Sequence, residues 1–290
     1  MMDINLELYR VFYYVATSLS FSEASRQLFI SQSAVSQSIK ALEKKLNLPL
    51  FIRSTKKVTL TPEGEALLKH VHPAIQMILQ GEELLTNNSH TTGQIRIAAS
   101  DTICRYFLID YLKRFHQEYP EIRIKVVSQT SMECVNLLKT EQVDLIICNY
   151  PNSYIHPHLK TKIIHEFEDS FVASKELFHN AKLPETLEEL TDYPLLMLSP
   201  KTSSREYFQQ LFFSRGKKLL PEIELNSNDL LLDLAKIGLG ITCVPDFMLQ
   251  NDTTLVKIPL KKPLPKRQLV LVQHETLPLS KAAERFFHYF

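Results

Sequence analysis

The sequence predicts an α+β multi-domain chain, and three features of it carry that prediction. Apolar residues in roughly the first sixty positions recur at helical spacing and end in a short strand-forming hairpin. A long helical pattern follows. From about residue 94 onward strand and helix patterns alternate, which argues for sheets covered by helices. With 290 residues and 44% hydrophobic content, the chain is long enough for two or three units, each burying its own core. No stretch approaches the roughly 20 apolar residues needed to cross a bilayer. The opening "MMDINLELYRVFYY" has an early acid, no basic leader and no uninterrupted apolar run, so the chain reads as soluble and cytoplasmic with no membrane partner.

Charge is unevenly distributed. Residues 1–60 hold eight Lys or Arg against four acids, whereas the remainder holds 25 against 28. The basic end is therefore the candidate for a polyanionic partner. Cys104, Cys134, Cys148 and Cys243 stand far apart, with no CxxC pair and no His at ligand spacing. Neither a zinc site nor a disulfide framework is suggested, buried thiols are expected, and no cofactor is expected.

Leu8, Val11, Phe12 and Val15 recur at helical spacing and the pattern stops in "TSLS", predicting a first helix over about residues 4–17. Ser22 is the expected cap of a short second helix with Ala24, Ser25 and Leu28 on one face. After a tight "FIS" connection, Ser31 caps a third helix whose Val35, Ile39, Leu42 and Leu46 form a core stripe. Asn47 follows as a left-handed end residue. Opposite the stripe lie Gln32, Ser33, Ser36, Gln37, Lys40 and Lys44, a face of hydroxyls, amides and ammonium groups with almost no acid.

Two short helices joined by a tight turn, the second polar and cationic outside, make a helix-turn-helix. Ser and Gln donate to and accept from base edges, while Lys and the helix amino end attract phosphates. Gln32, Ser33, Ser36, Gln37 and Lys40 are thus the candidate DNA contacts. A merely solvated face is the competing explanation, and the matching turn and partner helix weigh against it. In "PLFIRSTKKVTLTPEG" strand formers flank a polar tip, a hairpin wing whose Arg53, Lys56 and Lys57 would meet the sugar-phosphate backbone.

At this point the sequence resembles the LysR-type transcriptional regulators. "ASRQLFISQSAVSQSIKALEKKLNLPLFIRSTKKVTLTPEGEALL" follows that family's winged helix-turn-helix signature almost position by position. It departs from it at Ser33, where the family often has Pro, and at Asn47, where it often has Gly.

Thr61, Pro62 and Glu63 form a strong helix start. Leu67, Val71, Ala74, Ile78, Gly81 and Leu85 then alternate steps of four and three, a seam for packing two helices along each other. The resemblance implies pairing with a second copy, although an intrachain core helix gives the same stripe. Pro73 predicts a kink. His70 and His72 read as solvated, and "TNNSHTTGQ", residues 86–94, as a hinge.

Beyond it, "QIRIAAS", "IRIKVVS" and "VDLIICN" read as strands, with helices over 103–118 and 131–141; "SFVAS", "PLLML", "EIEL" and "GITCVP" follow, with helices near 203–215 and 228–236. "RQLVLVQ" and an amphipathic 280–290 segment close the chain. The resemblance continues through "EYPEIRIKVV", "VDLIICN" and "LAKIGLGITCVPDFM". It implies a C-terminal two-lobed α/β domain resembling periplasmic binding proteins, with a ligand between lobes.

The expected domains are a winged helix-turn-helix over 1–62, a linker and dimerisation helix over 63–90, and an effector-binding domain over 94–290. Lobe one takes 94–164 and 266–290, lobe two 165–265.

Hydroxyl and amide residues recur just after the strands, where loops and helix starts face the cleft of a parallel sheet. These are Ser100 and Thr102, then Ser128, Thr130 and Ser131, then Asn149, and, opening a helix in the other lobe, Thr202, Ser203 and Ser204. Helix capping explains any one of them, as the Thr130 and Glu133 spacing illustrates. Their recurrence favours an effector site for a small anion or polar metabolite. Lys201 or Arg205 would supply a countercharge unless both face solvent.

The reading is a sequence-specific DNA-binding regulator, not an enzyme, whose oligomer arrangement a metabolite switches. Implied partners are double-stranded DNA, a small effector, further copies of the chain as dimer or tetramer, and RNA polymerase. A solute-binding protein without regulatory role is the alternative. No Ser-His-Asp set, phosphate loop or HExxH pattern supports an enzyme.

Overall fold

The computed structural model describes residues 4–53, 58–86, 93–175, 183–249, 253–275 and 277–290. The expected wing contacts Lys56 and Lys57 and most of the expected hinge lie outside the described residues, as does the side chain of Arg53. The chain divides into two compact units, one of residues 1–88 with 276–278, the other of 89–275 with 279–290.

In the first unit α1 (Leu6–Ser18), α2 (Phe21–Leu28) and α3 (Gln32–Leu46) precede the antiparallel pair β1 (Phe51–Arg53) and β2 (Val58–Leu60), and α4 (Pro62–Thr86) follows. Each of α1 to α3 opens on a side-chain cap and closes on a residue with positive φ, namely Leu19, Phe29 and Asn47. The cap of α2 is Ser20 rather than the expected Ser22. The reason is local: Glu23 stands three residues after Ser20 and completes the S-x-x-E spacing, so the helix starts one half-turn earlier.

Val11, Phe12, Val15, Ala24, Leu28, Val35, Ile39 and Leu42 form the buried core, closed by Leu50 and Phe51 of the wing and Val71 of α4. Leu46 is only half-buried at its edge. Thr61 fastens α4 to this core, accepting from the Gly64 amide at 3.0 Å and donating to the Pro49 carbonyl at 2.8 Å.

The apolar seam of α4 splits in two. Leu67 and Val71 pack on the unit's own core, so this half is intrachain; the core takes Ile75 in place of the expected Ala74, which is exposed, and the side chain of Leu85 lies outside the described residues. His72, expected in solvent, is half-buried with its ring edge-on to Tyr13 at 5.0 Å, and Gln76 donates to the Tyr13 hydroxyl at 2.7 Å. Beyond them Met77, Ile78 and Leu79 are exposed. The helix assignment continues through Pro73.

The second unit contains two five-stranded sheets. The first is built from β3 (Gly93–Ala99), β4 (Ile122–Ser128), β5 (Leu145–Tyr150) and β6 (Lys160–Phe167), with β12 (Arg267–Gln273) returning from the far end of the chain. Its order is β4-β3-β5-β12-β6; β3 is parallel to β4 and β5, and β12 is antiparallel to β5 and β6. The second comprises β7 (Asp169–Ser174), β8 (Leu195–Leu198), β9 (Ile223–Leu225), β10 (Ile241–Pro245) and β11 (Leu255–Lys257), in the order β11-β7-β10-β8-β9.

The sheets are therefore mixed, not purely parallel as the alternation suggested. The chain changes sheet at Glu168, directly between β6 and β7, and comes back through β12; β7 and β12, the first strand after each crossing, run against the rest of their sheets. The first lobe extends three residues past the expected boundary at 164.

Helices α5 (Asp101–Ile103), a π-helical turn (Cys104–Leu108) and α6 (Ile109–Glu118) form one helical run after β3; α7 (Ser131–Lys139) follows β4. In the second lobe α8 (Leu187–Leu190), α9 (Ser203–Phe213) and α10 (Asn228–Lys236) connect strands, and α11 (Lys281–Phe287) ends the chain on the first lobe. One core runs through the joint between lobes, where Phe167, Val172, Val244 and Phe247 pack with Ile97, Ile147 and Leu271. No helix among the described residues is long and apolar enough to cross a membrane.

Two glycines of α4 should respond oppositely to the same change. A Cβ at Gly64 would meet the Leu50 carbonyl oxygen at 2.2 Å, whereas nothing lies within 4 Å of one at Gly81. Gly64→Ala is expected to destabilise the first unit by about 2 kcal/mol, and Gly81→Ala to stabilise it by about 0.5–1 kcal/mol. Thermal unfolding of the two variants, showing shifts of opposite sign, checks this.

Candidate functional site

Two surfaces carry the chemistry, one in each unit. In the first, the Val35, Ile39 and Leu42 stripe fixes the rotation of α3, leaving Gln32, Ser33, Gln37, Lys40 and Lys44 exposed and Ser36 half-buried. Ser31 caps the helix, accepting from the Ala34 amide at 3.2 Å, and its hydroxyl lies 2.8 Å from that of Ser33. Ser22 donates to Gln32 Oε1 at 3.3 Å, tying the start of α3 to α2. An open groove of about 400 Å³ runs between Phe21, Gln32, Ser33, Ser36 and the wing residue Val58.

The one acid of α3 is turned away from this face. Glu43 accepts from the Leu50 and Phe51 amides at 2.8 and 3.3 Å, joining α3 to the first wing strand. Its charge is thus spent on backbone donors that would otherwise be unpaired. The outward surface keeps amides, hydroxyls and cations.

In the second unit all eight residues picked out at strand and helix ends, Ser100, Thr102, Ser128, Thr130, Ser131, Asn149, Thr202 and Ser203, line one cavity of about 200 Å³ between the lobes. Caps and cavity coincide: Ser100, Thr130, Thr202 and Ser227 accept from the amides of Ile103, Glu133, Arg205 and Leu230 respectively, and all four line the space. Capping and lining are therefore not alternatives here. Parallel strands β3, β4, β8 and β9 end towards the cavity, and the helix after each begins there.

The lobes touch through short polar contacts around it. Ser131 and Ser203 hydroxyls stand 3.1 Å apart, Asn228 Nδ2 donates to Thr102 Oγ1 at 3.0 Å, and Asn149 Nδ2 donates to Ser204 Oγ at 3.3 Å. Outside the cavity Tyr106 donates to Asp229, and Ser153 and Tyr154 both donate to Glu206. Burial and the Asp229 contact push the Tyr106 hydroxyl up to about 12, so it is a fixed donor at physiological pH.

Behind the cavity lies a feature the sequence did not disclose. Arg267, at the start of β12, is fully buried and pairs with Asp169, at the start of β7, at 3.1 Å. Both its terminal nitrogens also reach Ser204 Oγ at 3.3 Å, and its guanidinium lies 4.5 Å from the Tyr207 ring centre. Burial pushes the Asp169 carboxyl up while the guanidinium pulls it back down. Arg205 is buried as well, paired with Glu224 at 3.0 Å, whereas Lys201 is exposed and outside the cavity lining.

Sequence reasoning also passed over Ser227 and Asn228, although "ELNSNDL" repeats the strand-then-cap signal used elsewhere. No local signal marks Arg267. Among the described residues no group of three or more His, Cys, Asp or Glu is placed to hold a metal.

Comparison with known proteins gives the same division. Residues 6–65 match the family of bacterial regulatory helix-turn-helix proteins of lysR type, and residues 88–290 match the LysR substrate binding domain. YbhD of Escherichia coli, an uncharacterised helix-turn-helix-type transcriptional regulator, is 28% identical over 298 aligned positions, covering 99% of this chain and 90% of its own. Among solved structures, a full-length OxyR variant from Pseudomonas aeruginosa superposes with a TM-score of 0.73 at 21% identity, covering 99% of this chain and 94% of that one. CrgA from Neisseria meningitidis, described as a LysR-type transcriptional regulator, gives 0.58 at 24%, with 99% and 98% covered.

Two expectations follow. Arg267→Met leaves Asp169 buried without its partner and should destabilise the second unit by about 3–5 kcal/mol, with Arg267→Met/Asp169→Leu recovering most of the loss in denaturant melts. The hydrogen bond with Cys134, and then burial, holds Cys148 well above the ordinary thiol range; burial holds Cys243 well above it and Cys104 at about 11. The native protein should therefore react slowly with a disulfide reagent at pH 8, and guanidinium should release all four thiols.

Proposed function

The chain belongs to the LysR family of DNA-binding transcriptional regulators with an effector-binding domain, and from that premise we propose that α3 reads sequence in the major groove while a metabolite between the lobes switches the regulator. The observation that carries the first half is the acid-free outward face of α3, with Glu43 engaged inward. Gln32, Ser33, Ser36 and Gln37 have donors and acceptors suited to base edges, and Lys40 suits phosphate. Arg53, Lys56 and Lys57 are proposed from the sequence as backbone contacts of the wing.

The exposed Met77, Ile78 and Leu79 of α4 support assembly, since an apolar helix face in solvent is covered by a second such helix at low cost. A dimer or tetramer is the proposed state, and RNA polymerase a proposed further partner. For the second half, the cavity is small, lined mostly by hydroxyl and carboxamide residues and flanked by helix starts, which suits a small anion or polar metabolite. Switching requires that the ligand bind one lobe arrangement better than the other, and the cross-lobe contacts at Ser131, Thr102 and Asn149 are where that preference would arise. The homologues are regulators rather than enzymes, and we read no catalytic role into the cavity. A solute-binding protein without regulatory role would have no use for the α3 face.

Gel shifts against a duplex enriched by the protein itself test the division of roles. Gln32→Ala or Gln37→Ala should cost about 1–3 kcal/mol on the selected duplex and little on random DNA. The pair Lys56→Ala and Lys57→Ala should weaken both duplexes alike and flatten the salt slope by about two. Identical behaviour of the two groups would contradict the assignment.

A further inference from the structure

Resting on the reading of the interlobe cavity as the effector site, we propose that its ligand is a short hydroxylated carboxylate carrying a single negative charge. Size sets the first bound. About 200 Å³ lies below the roughly 300–1,000 Å³ of pockets that hold drug-sized ligands, so the occupant is a small molecule. Inorganic oxyanions leave much of it empty, and drug-sized molecules exceed it.

The lining sets the chemistry. Of its seventeen residues thirteen carry a hydroxyl or carboxamide, three are apolar (Leu198, Pro245 and Phe247), one is the acid Asp101, and none is Lys, Arg or His. Most of these groups already pair with helix amides or across the lobes, and a hydroxylated ligand can join those pairs where an aromatic or alkyl one adds nothing to them. Two are short of partners among the described residues: Asn149 and Asn228 each use one carboxamide atom across the lobes and leave the other buried and unpaired. Both unpaired atoms are Oδ1 acceptors sealed from the open space, so a small turn of either carboxamide presents it to a ligand hydroxyl, which can donate to it.

Charge is polarised across the space. Helices α7, α9 and α10, of nine, eleven and nine residues, point amino ends into it, and these favour an anion. Behind the α9 start, Arg205 is only 5% exposed and its Nε and Nη1 have no hydrogen-bond partner among the described residues. It lines a void of about 10 Å³ that shares Leu198, Ser204, Asn228 and Pro245 with the cavity. Ser204, which receives Arg267, has its own proton left to donate. On the first lobe the exposed carboxylate of Asp101 borders the same space. It accepts hydroxyl protons and repels a second negative charge. One carboxylate on the second-lobe side and hydroxyls towards Asp101 satisfy both walls.

Calorimetry on the full chain with glycerate, threonate, butyrate, erythritol, tartrate and sulfate tests this, using wild type, Ser203→Ala, Thr102→Val and Asp101→Asn. Glycerate or threonate should bind, with butyrate and erythritol at least about tenfold weaker. Ser203→Ala and Thr102→Val, two independent variants, should each weaken the hydroxy acid by about tenfold, and Asp101→Asn should narrow the gap between threonate and the dianion tartrate. Sulfate or butyrate binding more tightly than the hydroxy acids, with loss in the cleft variants, overturns the ligand class and leaves the cavity as the effector site. Binding that ignores both cleft substitutions overturns the cavity reading itself. No heat from either hydroxy acid at millimolar concentration also overturns the class.

Discussion

An α-helix begins with amide groups that have no acceptor inside the helix, and both candidate sites of this protein depend on that constraint. The five helical starts at these two sites are capped in the same way, by Ser31, Ser100, Thr130, Thr202 and Ser227, each hydroxyl accepting one first-turn amide. One amide satisfied leaves others facing outward with partial positive charge. In the first unit this end belongs to α3, beside Gln32 and Ser33. In the second unit four of these starts border one cavity. The proposed binding of negative groups would thereby rest on the backbone, with no Lys or Arg lining the cleft.

What holds those starts in position differs between the units. In the first, apolar packing around Phe12 and Ile39 fixes α3, and Glu43 and Thr61 tie the wing and α4 to it through backbone groups. In the second, the joint between lobes contains the buried pair Arg267 and Asp169, and Arg267 also reaches Ser204 at the α9 start. A strand of one lobe thus orients a helix of the other. By contrast the contacts bordering the cavity are hydroxyls and carboxamides, whose net worth is about 1 kcal/mol each. A rigid joint beside weak, exchangeable contacts is the arrangement in which a small ligand can shift the preferred lobe position.

Local order was legible where local chemistry decides it. Ser31, Asn47 and Thr61 mark the boundaries of α3 and α4 because capping involves residues three or four apart, and the eight hydroxyl and amide residues at strand ends do meet at one cavity. The α2 start was misread because two serines compete within three positions and only Ser20 has Glu23 at the right spacing. Strand β6 escaped notice because "KTKIIHEF" is an edge strand with an exposed Ile163, so its apolar residues do not alternate cleanly. Arg267 and Asp169 stand 98 positions apart, and Asn228 and Thr102 126 apart. Pairings of that range leave no periodic trace, so a buried arginine reads in the sequence as an ordinary surface charge. His72 likewise looks solvated until α4 is laid against Tyr13.

The central claim, that the start and outer face of α3 meet a duplex, is most directly tested by amide hydrogen exchange of the full chain with and without DNA that the protein itself has enriched from random sequence. The first-turn amides of Gln32 and Ser33, which α3 leaves without helical acceptors, are expected to exchange rapidly in the free protein. The account predicts that DNA slows exchange most strongly across residues 31–37. Unchanged exchange there, with protection confined to other parts of the chain, would contradict it.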